Sequence, residues 1–120
     1  AENIIQANPD IKAFYATNDD MALGAYQAVA AANLQGVVTV GFDGTFNAMD
    51  SIANGEMTGS VAQQPIEEGY KGVENAVKIL NGETVEKNQP LDVVVLSADN
   101  VAEFRSGVEA KVAESGVKLG

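Results

Sequence analysis

The chain has 120 residues, the length of one ordinary domain, and its 46% apolar and 20% charged residues are enough to build a hydrophobic core. Its formal net charge is −10 at pH 7, so nucleic-acid backbones and anionic membranes would repel most of its surface. The longest apolar run, residues 21–32, is about half of the ~20 residues that a membrane-spanning helix needs. Neither nucleic-acid binding nor membrane insertion is therefore expected. The absence of Cys and His excludes disulfides, thiol nucleophiles, His-based proton transfer and the usual zinc sites.

Short apolar runs alternate with stretches of helical period along the whole chain, which predicts an α/β protein with a parallel sheet flanked by helices. A first helix should end at Asn8, because Pro9 cannot continue it. The run 37–42 is uninterrupted and β-branched, which is typical of a strand buried on both faces. A last helix should begin at Ser97 or Asp99. The four predicted strands cover residues 11–16, 37–42, 57–62 and 91–96.

Three further helices are predicted between these strands. Cap-type side chains at residues 18–20 precede an alanine-rich helix that Gly36 closes. Thr45 caps the next helix, which ends at Asn54. The third runs from Pro65 to Leu80, since proline suits a first helical turn and Asn-Gly follows the end. Its apolar stripe consists of Ile66, Tyr70, Val73, Val77 and Leu80.

Polar side chains follow three of the predicted strands. Asn18 follows the first strand, Asp43 the second and Gln63 the third. Ligands of open parallel sheets bind outside the carboxyl ends of the strands, so these residues should meet at one edge. Amides donate and accept hydrogen bonds while a carboxylate only accepts, which matches neighbouring hydroxyl groups. The sequence therefore predicts that Asn18, Asp43 and Gln63 bind a neutral polyol such as a sugar.

Each of these residues also has a local structural interpretation. One of Asn18, Asp19 and Asp20 should cap the following helix, and capping by either aspartate leaves Asn18 free to face a ligand. Asp43 begins a common Asp-Gly turn pair, and Gln63 would simply end an edge strand. The coincidence of three polar residues at three strand ends favours the binding interpretation.

An enzyme is a weaker interpretation. Asp19, Asp20 and Asp43 could surround Mg²⁺, but no Lys or Arg lies at these strand ends to hold a phosphate. A glycine-rich phosphate loop is also missing from the sequence. No catalytic residue, metal or cofactor is therefore predicted.

Three stretches resemble one known family. Residues 10–25 (DIKAFYATNDDMALGA), 38–45 (VTVGFDGT) and 59–65 (GSVAQQP) are similar to the carboxyl-terminal part of the type I periplasmic sugar-binding proteins, most closely the ribose-binding proteins. The resemblance implies a flavodoxin-like lobe of a two-lobed receptor that closes on a pentose or hexose. It also implies delivery of the sugar to an ABC transporter permease or a chemoreceptor. The family's sugar-binding residues correspond to Asn18, Asp43 and Gln63.

Members of this family are much longer, so the resemblance implies that residues 1–120 are one segment that needs the remainder of a receptor chain. The helix that resembles residues 65–80 packs on the other lobe in the family, which implies lobe crossings near residues 63–66 and 82–91. The chain begins without a Met or a signal sequence, as expected of a mature or excised segment. The resemblance implies a periplasmic location or, in a Gram-positive bacterium, an extracellular lipid-anchored one.

Two related interpretations stay open. Similar Asn-Asp motifs occur in the effector-binding cores of LacI-type repressors, which also carry an amino-terminal DNA-binding module. Autoinducer-2-type binding proteins take another small polyol. The Gly-Phe-Asp-Gly and Val-Ala-Gln-Gln-Pro stretches look more like the sugar receptors.

Overall fold

The computed structural model describes residues 1–116, which form a four-stranded sheet and five helices. The predicted α/β class, with helices packed beside an open sheet, is confirmed. In chain order the elements are α1 (Glu2–Ala7), β1 (Ala13–Tyr15), α2 (Asp19–Ala31), β2 (Val38–Asp43), α3 (Phe46–Ala53), β3 (Gly59–Ala62), α4 (Pro65–Leu80), β4 (Val94–Leu96) and α5 (Val101–Glu114).

The strands lie in the order β1-β2-β3-β4, and the first three are parallel as predicted. The direction predicted for the fourth strand is wrong, because β4 pairs antiparallel with β3, with Val61 opposite Val95. A parallel neighbour would need a crossover connection whose helix packs on the sheet. The connection from β3 to β4 contains α4, which buries none of its residues and does not act as a crossover helix.

One face of the sheet carries the core. Side chains alternate between the two faces along a strand, and the strand registers place Phe14, Thr39 and Ser60 on the same face. Helices α1, α2, α3 and α5 pack on this face. The main cluster contains Ala22, Ala48, Met49, Ile52, Met57, Ala62, Leu96 and Val101, and a second cluster contains Ile5, Ala28 and Val29.

The opposite face of the sheet is apolar and uncovered. Tyr15 is 67% exposed and Val95 is 66% exposed, although both are strand residues. Val38 is also exposed, so the expectation that residues 37–42 form a strand buried on both faces is wrong. The residues that share this bare face are Ala13, Tyr15, Val38, Val40, Phe42, Val61 and Val95.

Two helix ends differ from the predictions for local reasons. Helix α2 stops at Ala31, before the predicted end at Gly36, because Asn33 adopts a left-handed conformation with φ 53°. Asn33 N–H donates to Ala30 O and Leu34 N–H to Val29 O, the hydrogen-bond pattern of a Schellman cap. Helix α5 begins at Val101, because residues 97–100 form a turn that precedes it.

Helix α4 has the predicted bounds but no packing partner among the described residues. It starts at Pro65 and its C-cap is Asn81, and none of its 16 residues is buried. Tyr70 is 69% exposed and Leu80 is 86% exposed, and both belong to the predicted apolar stripe. Within residues 1–116, none of the helices combines the length and the apolar character that crossing a membrane requires.

Candidate ligand-binding site

The three residues predicted to bind a ligand lie at one edge of the sheet. Asn18 is the N-cap of α2 just after β1, Asp43 is the last residue of β2, and Gln63 immediately follows β3. Because β1, β2 and β3 are adjacent and parallel, their carboxyl ends share that edge. All three residues are partly exposed, so a ligand can reach them. We call the part of this edge that Asn18, Asp43 and Gln63 form the rim.

Two of the rim residues form a hydrogen-bonded pair. Gln63 Nε2 donates to Asp43 Oδ1 over 2.8 Å, and the Gln63 backbone N–H donates to Asp43 O over 3.2 Å. Among residues 1–116 no protein hydrogen bond uses Asp43 Oδ2 or Gln63 Oε1. The pair therefore offers two neighbouring acceptor oxygens to hydroxyl groups of a ligand.

The backbone at Asp43 is strained. Its φ of 120° is positive, which is uncommon for a residue other than glycine. Gly44 follows with φ 74°, and a Cβ there would lie 2.4 Å from Ala62 Cβ, so only glycine fits against β3. Strained residues of this kind are found at functional sites, where the surrounding structure holds them in place. The strain thus agrees with a binding role for Asp43.

Asn18 has two tasks at the rim. Its Oδ1 accepts from the Met21 N–H over 2.9 Å, so Asn18 itself caps α2. The prediction that one of residues 18–20 caps the helix is confirmed, and the capping residue is Asn18 rather than either aspartate. The cap uses only the oxygen, and the Nδ2 donor remains for a ligand. Within the described part of the chain, no hydrogen bond joins Asn18 to Asp43 or Gln63.

Sequence reasoning missed the role of Asp19. This carboxylate is fully buried, and it accepts from Ser60 Oγ over 2.6 Å and from the Thr45 N–H over 2.7 Å. Asp19 therefore connects the start of α2 with β3 and with the loop after Asp43. The contact spans 41 positions of sequence to Ser60, and no local pattern marks it. Residues 1–116 contain no group of three or more acidic, His or Cys side chains that could hold a metal ion.

An apolar cleft of about 650 Å³ adjoins the rim between α3, α5 and the first turn of α4. Lys111 Nζ donates to Glu67 Oε1 over 2.6 Å, which links α5 to α4. The hydrogen bond and the charge of Lys111 lower the pKa of Glu67. Asp43 and Gln63 contribute to the wall of the cleft, whose apolar lining includes Phe46, Met49, Ile66, Phe104, Val108 and Val112.

The single arginine lies away from the rim. Arg105 on α5 forms ion pairs with Asp50 on α3 and with Glu109, and its guanidinium lies 5.2 Å from the centre of the Phe46 ring. Hydrogen bonds to Glu109 and Asp50 raise the pKa of Arg105. Arg105 therefore joins α3 to α5 and is not available to clamp an anionic ligand.

The chain is similar to known binding proteins over most of its length. The family described as "Periplasmic binding protein domain" matches residues 1–84. The chain is 47% identical over 96 residues to the ribose import binding protein RbsB of Haemophilus influenzae, which covers 80% of this chain and 32% of that protein. It is 44% identical over 93 residues to the D-allose-binding periplasmic protein of Escherichia coli, which covers 77% of this chain and 29% of the relative.

Solved structures of the same kind have this fold. An ABC transporter periplasmic solute binding protein from Actinobacillus succinogenes with bound D-allose matches 85% of this chain and 36% of its own, with a TM-score of 0.80 at 32% identity. A solute binding protein from Bacillus halodurans with bound myo-inositol matches 88% of this chain and 37% of its own, with a TM-score of 0.78 at 33% identity. The chain thus spans about a third of the length of the proteins it matches.

Proposed function

Since this chain belongs to the periplasmic binding protein domain family, we propose that it binds a small neutral sugar, a pentose or a hexose, as the carboxyl-terminal part of a solute receptor. No chemical change of the sugar is involved, so the protein is not an enzyme. The observation that carries this proposal is the hydrogen-bonded pair of Asp43 and Gln63 beside Asn18 at one edge of the sheet.

The chemistry of the rim supports a polyol. Asp43 Oδ2 and Gln63 Oε1 accept from adjacent hydroxyls, and Asn18 Nδ2 donates to a hydroxyl or ring oxygen. Hydrogen bonds to the charged carboxylate are the stronger ones, at about 1.5 to 3 kcal/mol each. An anionic ligand such as a sugar phosphate fits poorly, because the chain carries a net charge of −10 and the nearby Lys111 is already paired with Glu67.

The rim provides only one wall, and the proposed receptor needs a second. We place the lobe crossings near residues 63–66 and 82–91, so that α4 packs on the facing lobe. This placement is supported by the exposed apolar stripe of α4, which finds no partner among the described residues. The bare sheet face, including Tyr15 and Val95, gives the remainder of the receptor chain a second apolar surface to cover.

Transport is the proposed context. The similar proteins are named as import binding proteins and ABC transporter solute binding proteins, which favours a receptor over a repressor core. The proposed partner of the sugar-loaded receptor is an ABC transporter permease or a chemoreceptor. The proposed location is the periplasm or, in a Gram-positive bacterium, the outer surface by way of a lipid anchor.

The test compares two aspartates at opposite edges of the sheet. The ¹⁵N-labelled chain is titrated with ribose and with D-allose through the millimolar range while its amide NMR shifts are followed. We expect shifts centred on Asn18, Asp43 and Gln63 that Asp43→Asn abolishes. Asp99→Asn is the matched control, because it removes the same charge at the turn after the antiparallel β4, away from the rim. Sugar-dependent shifts that survive Asp43→Asn, or that lie away from the rim, would contradict the proposal.

A further inference from the structure

Asp19 is a buried carboxylate with no cation beside it. It is 0% exposed, and no salt bridge within residues 1–116 includes it. Burying a charge is costly unless hydrogen bonds compensate it. Both oxygens of Asp19 have such a bond, at 2.6 Å from Ser60 Oγ and 2.7 Å from Thr45 N, distances typical of hydrogen bonds to a charged group. The position of Asp19 in the first turn of α2 adds the favourable field of the helix dipole.

The hydrogen bonds of Asp19 converge on the loop that follows Asp43. Thr45 is bound directly through its N–H. Gly44 is bound indirectly, because its N–H donates to Ser60 Oγ over 3.2 Å while the same hydroxyl donates to Asp19. The two residues after Asp43 are therefore both connected to one buried carboxylate.

A glycine in β2 leaves room for the Asp19 side chain. A Cβ on Gly41 would lie 2.3 Å from Asp19 Oδ1 and 3.0 Å from Asp19 Cα, so a larger residue would displace the carboxylate. Gly41 thus allows the first turn of α2 to approach β2 closely enough for Asp19 to reach Thr45.

We propose that Asp19, acting through Ser60 and Thr45, is the positioning residue that holds the Asp43 carboxylate in its binding geometry, an inference that rests on the proposed function. The φ of 120° at Asp43 is costly and persists only where the surroundings fix it. The hydrogen bonds to Gly44 and Thr45 supply that constraint from the carboxyl side. In the Asn-Asp pair, Asn18 then faces the ligand while Asp19 faces inward and fixes the neighbouring strand end.

This role differs from simple stabilisation. A residue that only stabilises the fold lowers the melting temperature and leaves the backbone at Asp43 and the sugar affinity of the folded protein unchanged. A positioning residue changes both in the folded protein. The three-bond coupling between the amide and α protons of Asp43 reports its φ directly, without any ligand.

The experiment uses the ¹⁵N-labelled chain with Asp19→Ala, Asp19→Asn and Ser60→Ala. We expect Asp19→Ala to weaken ribose binding by about tenfold and to change the Asp43 coupling, because it removes two charge-assisted bonds. Asp19→Asn keeps an oxygen for Thr45 and should retain intermediate affinity. Ser60→Ala removes one hydroxyl, should free the Gly44 N–H for faster exchange, and carries the test if Asp19→Ala does not fold.

Ser51→Ala is the matched control. Ser51 is also a buried serine, and its hydroxyl accepts from the Met57 N–H and donates to Glu56, at a distance from the rim. It should lower the melting temperature and leave the Asp43 coupling and ribose affinity as in the parent. Parent-like coupling and affinity in folded Asp19→Asn and Ser60→Ala would overturn the proposal. If the parent shows no sugar-dependent shifts, the proposed function fails, and the couplings alone decide whether Asp19 fixes Asp43.

Discussion

Helices α2 and α4 have similar length and opposite surroundings. Helix α2 has 13 residues and buries Ala22, Ala25, Ala28 and Val29 against the sheet and its neighbours. Helix α4 has 16 residues, carries a stripe of larger apolar side chains, and buries none of them. The small side chains of α2 allow a close approach to β2, where Gly41 leaves room for its first turn. The apolar side chains of α4 form a stripe that could pack against a partner outside residues 1–116.

The difference shows that forming a helix and burying it are separate outcomes. Pro65 and the Asn-Gly pair after Leu80 set the ends of α4 through local chemistry alone. The surface against which α4 packs depends on how the whole chain folds. The bare sheet face has the same origin, since Tyr15 and Val95 belong to regular strands whose second layer is missing from the described residues. Within residues 1–116 the helices and strands are regular, while α4 and one face of the sheet have no packing partner.

The largest expected effect concerns sugar affinity. We expect the purified 120-residue chain to bind ribose, or any common pentose or hexose, no more tightly than the millimolar range. Micromolar binding requires about −8 kcal/mol, and each neutral hydrogen bond contributes a net of only about 0.5 to 1.5 kcal/mol. Three rim side chains without a facing wall cannot supply the difference. Calorimetry measures the affinity, and the proposed longer receptor should bind the sugar at least a thousandfold more tightly.

A micromolar isotherm for the 120-residue chain would contradict the view that α4 and the bare sheet face lack a partner, provided mass spectrometry shows no other polypeptide. It would mean that the chain completes its own cleft by pairing with a second copy. Analytical ultracentrifugation at the same concentration measures whether the chain is a monomer or a dimer, since a cleft closed in this way requires a dimer.

A second prediction compares a Leu→Ala substitution on the buried strand β4 with one on the exposed helix α4. Leu96 on β4 is fully buried, so Leu96→Ala should lower the free energy of unfolding by about 2 to 5 kcal/mol. Leu80 at the end of α4 is 86% exposed, and Leu80→Ala should change it by no more than about 0.5 kcal/mol. Leucine and alanine have similar helix propensities, so the effect of Leu80→Ala reports the packing of Leu80 rather than the stability of the helix itself. Denaturant unfolding of both variants provides the measurement.

The Leu80 variant also sharpens the proposed lobe arrangement. In the proposed longer receptor, in which we place α4 against the facing lobe, Leu80→Ala should lower the free energy of unfolding several times more than in the 120-residue chain. Equal losses of unfolding free energy for Leu80→Ala and Leu96→Ala in the 120-residue chain would show that α4 is already packed, and the contrast between α4 and the buried core would have to be abandoned.

Much of the fold could be predicted because its signals are local. The ends of α4, the Thr45 cap of α3 and the first three strands follow from turn residues and apolar runs. The direction of β4 could not be predicted, because it depends on whether α4 packs on the sheet. The bare face of the sheet could not be predicted either. An apolar run such as residues 37–42 indicates that both faces of the strand can be buried, but it does not show whether a second layer covers them.

The placement of the candidate site was predicted, but not its internal bonds. Strand ends of a parallel sheet meet at one edge, and that rule alone was enough to locate Asn18, Asp43 and Gln63 together. Any of the three consecutive residues 18–20 could cap α2, and the sequence does not show which of them does. The bond between Asp19 and Ser60 depends on how closely α2 approaches β2 and β3, which is a property of the packed structure.

The smallest expected effect concerns the ion pair between Glu67 on α4 and Lys111 on α5. Lys111 lowers the pKa of Glu67, first through the hydrogen bond and then through its charge, against a small opposing effect of burial. Because the folded pKa of Glu67 lies below the ordinary value of 4.5, the pair stabilises the contact between α4 and α5 above that pH, and this contribution is lost as the pH falls through the lowered pKa. Both side chains are substantially exposed, so the effect on unfolding is small and decreases with salt.

Carboxyl ¹³C NMR measures the Glu67 titration directly. We expect its midpoint below 4.5 in the parent chain and a return toward that value in Lys111→Gln. Lys78→Gln is the matched control, because it breaks the 3.0 Å pair with Glu74 inside α4 and leaves the connection between α4 and α5 intact. The Glu67 midpoint should therefore stay low in Lys78→Gln. A midpoint that is ordinary in the parent, or that Lys78→Gln raises as much as Lys111→Gln does, would show that the first turn of α4 is not held against α5. In that case all of α4, and not only its exposed stripe, would be independent of the rest of residues 1–116.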